Sequence, residues 1–223
     1  MKMRFRTWGG KRKGAGRKPK GARAGVSHRA RPKLASRFPV HVTLRLRDGL
    51  PSLRSRKANK AVLQALFGGC EREGFRVVHF SVLSNHIHLI VEAKSAEALS
   101  RGVQGLTIRL AKRLNGRLKR TGPVYADRYH SRILRTPMEV KRALVYVINN
   151  SRSHQARRGL ADRLPRDCAD PHSSGPWFDG WITPPRNRPV DGRGPALTAS
   201  PRTWLLREGW QRHGLLALTE GAR

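Results

Sequence analysis

Ser84-Asn85-His86-Ile87-His88-Leu89-Ile90-Val91-Glu92 is the stretch on which the fold turns. A β-strand sends alternate side chains to opposite faces. Ile87, Leu89 and Val91 therefore share one face and His86 and His88 the other. Such a strand needs helices over its apolar face, and it offers two imidazoles about 7 Å apart on its other face. Immediately upstream, the apolar run 75–83 predicts a second strand, joined through Ser84-Asn85, a break short enough for a hairpin. Further upstream, Pro39–Arg47 (PVHVTLRLR) alternates, with Val40, Val42, Leu44 and Leu46 on one side. Between these strands, residues 57–73 predict a helix striped by Ala61, Leu63, Ala65, Leu66 and Phe67, with Gly74 as its terminal glycine.

Downstream, residues 96–119 predict a long helix, because Leu99, Val103, Leu106, Leu110, Leu114 and Leu118 recur at three- and four-residue steps. Its other face is basic, with Arg101, Arg109, Lys112, Arg113 and Arg117. Gly122-Pro123 breaks it, and Arg128–Leu134 reads as a short strand. Thr136-Pro137-Met138-Glu139 is a helix start, with Thr at the N-cap, Pro at the first helical position and Glu closing a capping box. That helix is expected to run to about residue 157. The order βαββαβα predicts an α+β fold: a ferredoxin-like, RRM-like antiparallel sheet with helices on one face and an extra C-terminal helix.

Three regions follow. Residues 1–38 hold 14 Lys/Arg and no acid, interrupted by Gly and Pro, and read as a disordered basic arm. Gly14–Gly21 (GAGRKPKG) has the look of a degenerate AT-hook in which Lys18 separates Arg17 from Pro19; a nonspecific phosphate-binding tail is the alternative. Residues 39–160 form the core domain. Residues 161–223 read as an irregular extension whose segments pack onto the core, with a short helix within Thr203–Leu218; the runs PWFDGW and WLLREGW concentrate four of the five Trp.

The chain has 223 residues and a net charge of +33, from 47 Lys+Arg against 14 Asp+Glu. A surface this basic calls for a polyanion, and nucleic acid is the expected partner through phosphate contacts and counterion release. An anionic membrane fits less well, because the charge is spread along the chain, and no run of about 18 apolar residues is present. The N-terminal residues lack the apolar run of a secretory signal. Cys70 and Cys168 form no CxxC pair, which suits free thiols in a reducing cytoplasm.

Two imidazoles can converge on one cation. Zinc would want further His, Cys or carboxylate ligands, so an open site with amide or water oxygens points to Mg²⁺ or Mn²⁺. A purely structural His pair is the alternative. On the helix after Pro137, the stripe Val140, Leu144, Val147 and Ile148 places Tyr146 roughly 140° away. Arg142 lies one turn before Tyr146 and Asn150 one turn after, all on one polar face. Arg142 is a candidate phosphate ligand and Asn150 a candidate third metal ligand. Tyr146 is then either a nucleophile or an amphipathic surface tyrosine. Tyr129 is the second candidate nucleophile, without an equivalent helical Asn.

At these residues the chain resembles the single-tyrosine HUH (His-hydrophobic-His) transposases, the IS200-like group, and within them the REP-associated tyrosine transposases. Four landmarks agree in order over about residues 38–160: SNHIHLIVE, the helix with Gln104-Gly105-Leu106, GPVYADRYHSRIL and TPMEVKRALVYVINNSRSH. Asn150 fits the REP-associated branch, in which Pro often follows; here Ser151 does. The resemblance implies metal on His86, His88 and Asn150, and attack by Tyr146 to give a 5′-phosphotyrosine and a free 3′-OH. It implies single-stranded DNA beside an imperfect hairpin such as a repetitive extragenic palindrome. The DNA backbone would lie against Arg142, Arg109, Arg113, Arg128, Arg132 and the arm residues Arg17 and Lys18. A cytoplasmic, nucleoid-associated bacterial protein, monomeric or homodimeric, is the corresponding expectation. A noncatalytic nucleic-acid-binding module is the competing class, but an RRM carries aromatic residues on its central strands and SNHIHLIVE has none.

Overall fold

The computed structural model describes residues 32–157, 164–189 and 197–221. Among these residues five strands, β1 (Val40–Arg45), β2 (Glu71–Arg72), β3 (Phe75–Val82), β4 (His86–Ala93) and β5 (His130–Ile133), form one sheet in the order β2-β3-β4-β1-β5. Every pairing is antiparallel. The helices are α1 (Arg56–Phe67), α2 (Ala96–Arg117), α3 (Pro137–Ile148), α4 (Asn150–Arg157) and α5 (Trp204–Arg207), with 3-10 turns at Gly175–Trp177 and Gly209–His213. Leaving aside the two-residue β2, this is the ferredoxin-like α+β arrangement that the alternation of strands and helices predicts.

The two sheet faces have different chemistry. Val40, Val42, Leu44, Phe80, Val82, Ile87, Leu89 and Val91 form one face and pack under Ala61, Val62, Leu66, Val103, Leu106 and Leu110 of α1 and α2. Each large side chain buried here contributes about 1.5–3 kcal/mol. Gly102 allows α2 its close approach: a Cβ there would sit 2.1 Å from the Phe75 ring. The opposite face carries the alternate residues and is covered by α3. There Val78 and Ile90 meet Val140, Leu144, Val147 and Ile148. The helices thus lie on both faces, α1 and α2 on one and α3 on the other.

Residues beyond 164 are built into this second layer. Phe178, Trp181, Leu205, Leu206, Trp210 and Leu216 share a core with α3. His172 accepts from the Val82 N–H at 2.8 Å, the Ser174 N–H donates to Phe80 at 2.9 Å, and the Ala199 N–H donates to Val77 at 2.8 Å. These bonds cover the part of the β3 edge that β2 is too short to pair, which removes an exposed template for strand addition. Arg54 anchors the same segment through a forked pair to Asp170 at 2.7 and 2.9 Å.

Two boundaries differ from the sequence expectation. The first helix stops at Phe67, with Gly68 as its cap, and Gly74 (φ +70°) turns the β2–β3 hairpin instead. Apolar periodicity runs past Phe67, but the Arg109 guanidinium rests on the end of α1 and would meet a Cβ on Gly68 at 2.7 Å. The helix expected to reach residue 157 is interrupted at Asn149 (φ −97°, ψ 15°), whose amide donates to the tail carbonyls of Ala217 and Glu220. The short helix expected within Thr203–Leu218 is Trp204–Arg207, and a 3-10 turn follows it.

Candidate active site

Register assembles the site. His88 on β4 stands opposite Thr43 on β1, His86 opposite Arg45, and Ile90 opposite His41. On the other flank of β1, His130 and Arg132 of β5 face Thr43 and His41. The sheet face beneath α3 therefore holds His41, Thr43, His86, His88, His130 and Arg132 together. Sequence reading finds only two of these histidines.

Each histidine of the HUH pair engages the protein through Nδ1. His86 Nδ1 is 2.7 Å from Asn85 Oδ1. His88 Nδ1 lies 3.1 Å from Thr43 Oγ1 and 3.1 Å from His41 Nε2. Partners of this kind fix the tautomer and orientation of a ligating imidazole, so Nε2 is the nitrogen each ring would present to a metal. The two rings meet edge-on with centroids 4.8 Å apart. Burial, then the nearby His130 and Arg132, hold the His41 imidazole down to about 4, so it stays neutral at physiological pH.

Tyr146 reaches this cluster from α3. Its ring is 5.0 Å from His88 and 5.7 Å from His41, centroid to centroid, both edge-to-face. The angular offset of Tyr146 from the apolar stripe has a structural counterpart: the ring is half-buried against imidazoles. The capping box that begins α3 is complete, with Glu139 accepting from the Thr136 N–H at 3.2 Å and Thr136 accepting from the Glu139 N–H at 3.2 Å. It sets the helix register that places Tyr146.

Asn150 follows one turn later. The Asn149 N–H donates to Val145 at 3.0 Å and the Ser153 N–H to Asn149 at 3.3 Å, so backbone bonds bridge the break between α3 and α4. Asn150 is fully buried, and neither its Oδ1 nor its Nδ2 has a hydrogen-bond partner among the described residues. A buried unsatisfied amide costs about 1–3 kcal/mol, which a metal bond to Oδ1 would offset. Among the described residues no group of three or more His, Cys, Asp and Glu is suited to a metal. His86, His88 and Asn150 could offer a cation two imidazoles and an amide oxygen, leaving further positions to water.

The basic residues separate into groups. Arg142 is exposed and lines, with Tyr146, Lys141 and Ser153, a cavity of about 420 Å³ beside α3. Arg132 is exposed at the edge strand and paired with Glu139 at 3.0 Å. Arg128 is half-buried in the segment entering β5. Arg109 and Arg113 lie on α2, across the sheet from Tyr146, and Arg109 is packed on the end of α1. Arg17 and Lys18 fall outside the described residues. Tyr129 packs with the α1–α2 core, away from the histidine face, as does Tyr125, which donates to Thr107 at 3.1 Å. Burial pushes the Tyr125 phenol well above its ordinary range.

On β1, His41 and Thr43 are residues that sequence reasoning missed, as it missed His130 on β5. The signal for the β1 pair is the off-core positions of PVHVTLRLR, where a His and a Thr alternate with the buried valines.

The model of the family described as "Transposase IS200 like" matches residues 36–150. That span is just over half of the chain and runs from before His41 to Asn150. The chain belongs to the IS200-like transposase family. Among solved structures, this transposase-family chain is similar to a REP-associated tyrosine transposase bound to a REP hairpin. The TM-score is 0.49 at 15% identity, covering 67% of this chain and 82% of that one. No curated protein matches the chain. No helix among the described residues of this transposase-family chain is long and apolar enough to cross a membrane.

Proposed function

We propose that this transposase-family chain nicks and rejoins single-stranded DNA next to a hairpin, with Tyr146 as the nucleophile. The observation that carries the reading is the contact of Tyr146 with His88 and His41 on an otherwise imidazole-lined sheet face. The family match supports the DNA substrate, and the net charge of +33 agrees with it. The hairpin follows from the motif resemblance.

Tyr146 Oη attacks the scissile phosphorus in line. The bond from phosphorus to the 3′ oxygen breaks, that oxygen takes a proton, and the phenol proton is released. The 5′ side remains on the enzyme as a phosphotyrosine, which conserves the phosphodiester energy. A 3′-OH from another end then attacks the phosphotyrosine, restoring the phenol without a nucleotide cofactor. Mg²⁺ or Mn²⁺ on His86, His88 and Asn150 would supply Lewis-acid polarisation of the scissile phosphate. His41 and Thr43 hold the His88 ring by its Nδ1, and Arg142 supplies positive charge to phosphate oxygens beside the phenol.

The test uses end-labelled single strands carrying an imperfect hairpin, incubated with Mn²⁺ and resolved on denaturing gels. Wild-type protein should give a covalent protein–DNA band, and Tyr146→Phe none. An adduct that persists in Tyr146→Phe overturns the role of Tyr146. Cleavage undiminished in His86→Ala overturns the metal role.

A further inference from the structure

Of the described tryptophans, only Trp204 is exposed, at 45% of its surface. Its backbone is held firmly. The buried Glu92 carboxylate accepts from the Thr203 N–H at 2.7 Å and from the Arg202 N–H at 2.9 and 3.1 Å. Thr203 caps the turn that carries the indole. The ring lies on Gly209, where a Cβ would meet it at 2.8 Å, and the Arg212 guanidinium sits 4.7 Å from the ring centroid. Gly209 and Arg212 are one 3-10 turn apart, so both lie on the side of that turn that meets the indole. Just under half of the residue's surface is left to solvent.

Arg37, Lys94 and Arg202 line the same cavity as Trp204, a space of about 560 Å³ that the exposed Glu73 also borders, and Arg202 pairs with Glu71 at 3.3 Å. Glu92, the buried acid of this cavity, is taken up by the backbone bonds above and by Arg76 at 3.8 Å. Glu92 also lies on the histidine face of β4, four residues beyond His88, which is about 13 Å along the strand. A rigid aromatic surface beside cationic side chains is the arrangement that takes unpaired bases with their phosphates, because every base has a π-face.

We infer that Trp204 is a stacking platform for an unpaired base of single-stranded DNA, with Arg202, Lys94 and Arg37 contacting the adjoining phosphates. The platform lies along the strand that leaves the Tyr146 site. This rests on the single-strand DNA reading proposed above. It assigns a task to the Trp-rich tail, which neither the family match nor the cleavage chemistry uses.

Binding is measured by anisotropy in a Tyr146→Phe background, so that no covalent adduct contributes. The probes are a hairpin with a single-stranded flank, the same hairpin without the flank, and a duplex. Trp204→Leu, which keeps an apolar cover on Gly209, should weaken binding of the flanked probe about 5- to 150-fold. Trp204→Phe should retain most of the affinity, and the flankless hairpin and the duplex should be unaffected. Arg202→Ala with Lys94→Ala should flatten the salt dependence for the flanked probe. Iododeoxyuridine in the flank should photocrosslink to Trp204. Equal weakening of all three probes, or unchanged affinity with crosslinks elsewhere, overturns the platform. The adduct assay on wild-type protein is separate. Flank-specific loss without an adduct would sink the nuclease reading and leave the platform; an adduct with no flank dependence on Trp204 would do the reverse.

Discussion

Replacing Asn150 by leucine separates the cost of the site from its use. Asn150 sits fully buried with both amide atoms unsatisfied among the described residues. Burying an amide without partners costs about 1–3 kcal/mol. Leucine keeps the branched shape and removes that cost, and part of the gain goes to fitting a bulkier side chain. The net expectation is a variant about 1–2 kcal/mol more stable than wild type in EDTA. For a domain of this size that is a rise in Tm of about 2–8 °C. The order should invert with metal. Mn²⁺ at 100 times its Kd stabilises a binding protein by about 2.7 kcal/mol, a Tm shift of about 5–11 °C, and Asn150→Leu should lose most of it. Differential scanning calorimetry with EDTA and with Mn²⁺, alongside the adduct assay, reads all three quantities. A variant that is less stable in EDTA and keeps the full Mn²⁺ shift refutes the reasoning, because the amide would then be a structural group and not a ligand.

Other expectations follow from the same geometry. Burial holds the His79 imidazole down to about 4 from its ordinary 6.5. The unfolded chain takes up this proton near pH 6.5 and the folded chain only near 4, so the contribution is fully present above 6.5 and lost as pH falls through that window. Urea midpoints should therefore drop between pH 7 and 4.5, and His79→Gln should flatten that slope; an unchanged slope would exclude His79 as its source. Gly102→Ala would drive a methyl to 2.1 Å from the Phe75 ring. The expected loss is about 1–3 kcal/mol, read as a lower denaturation midpoint, and an unshifted midpoint would show that α2 can move away at no cost. Glu139→Ala removes one half of the capping box and the partner of Arg132. It should cost about 0.5–2 kcal/mol and lower cleavage with it, whereas full activity at reduced stability would show that α3 register does not govern Tyr146.

The strands, the long helix and the two-histidine face are local matters, and the amino-acid order determines them. Periodicity of two assigns His86 and His88 to one side of β4 whatever else surrounds them, and periodicity of 3.6 sets Tyr146 away from the stripe of α3. Charge and composition name a polyanion without any fold. What lies across from those residues is different, because a partner on another strand depends on register between segments more than forty residues apart. His41 carries no chemical meaning in PVHVTLRLR until β1 pairs with β4 and brings it 3.1 Å from His88. Only the packed chain puts α3 on the opposite face from α1 and α2, so that Tyr146 meets the imidazoles while Tyr129 and Arg113 are left across the sheet. The ends of helices were decided in the same way: Gly68 and Asn149 stop them where Arg109 and the tail carbonyls make contacts that no local pattern contains. The Trp-rich tail is legible as segments that pack on the core, but the surfaces it meets, β3 by backbone bonds and α3 through a shared core, exist only after the sheet has formed.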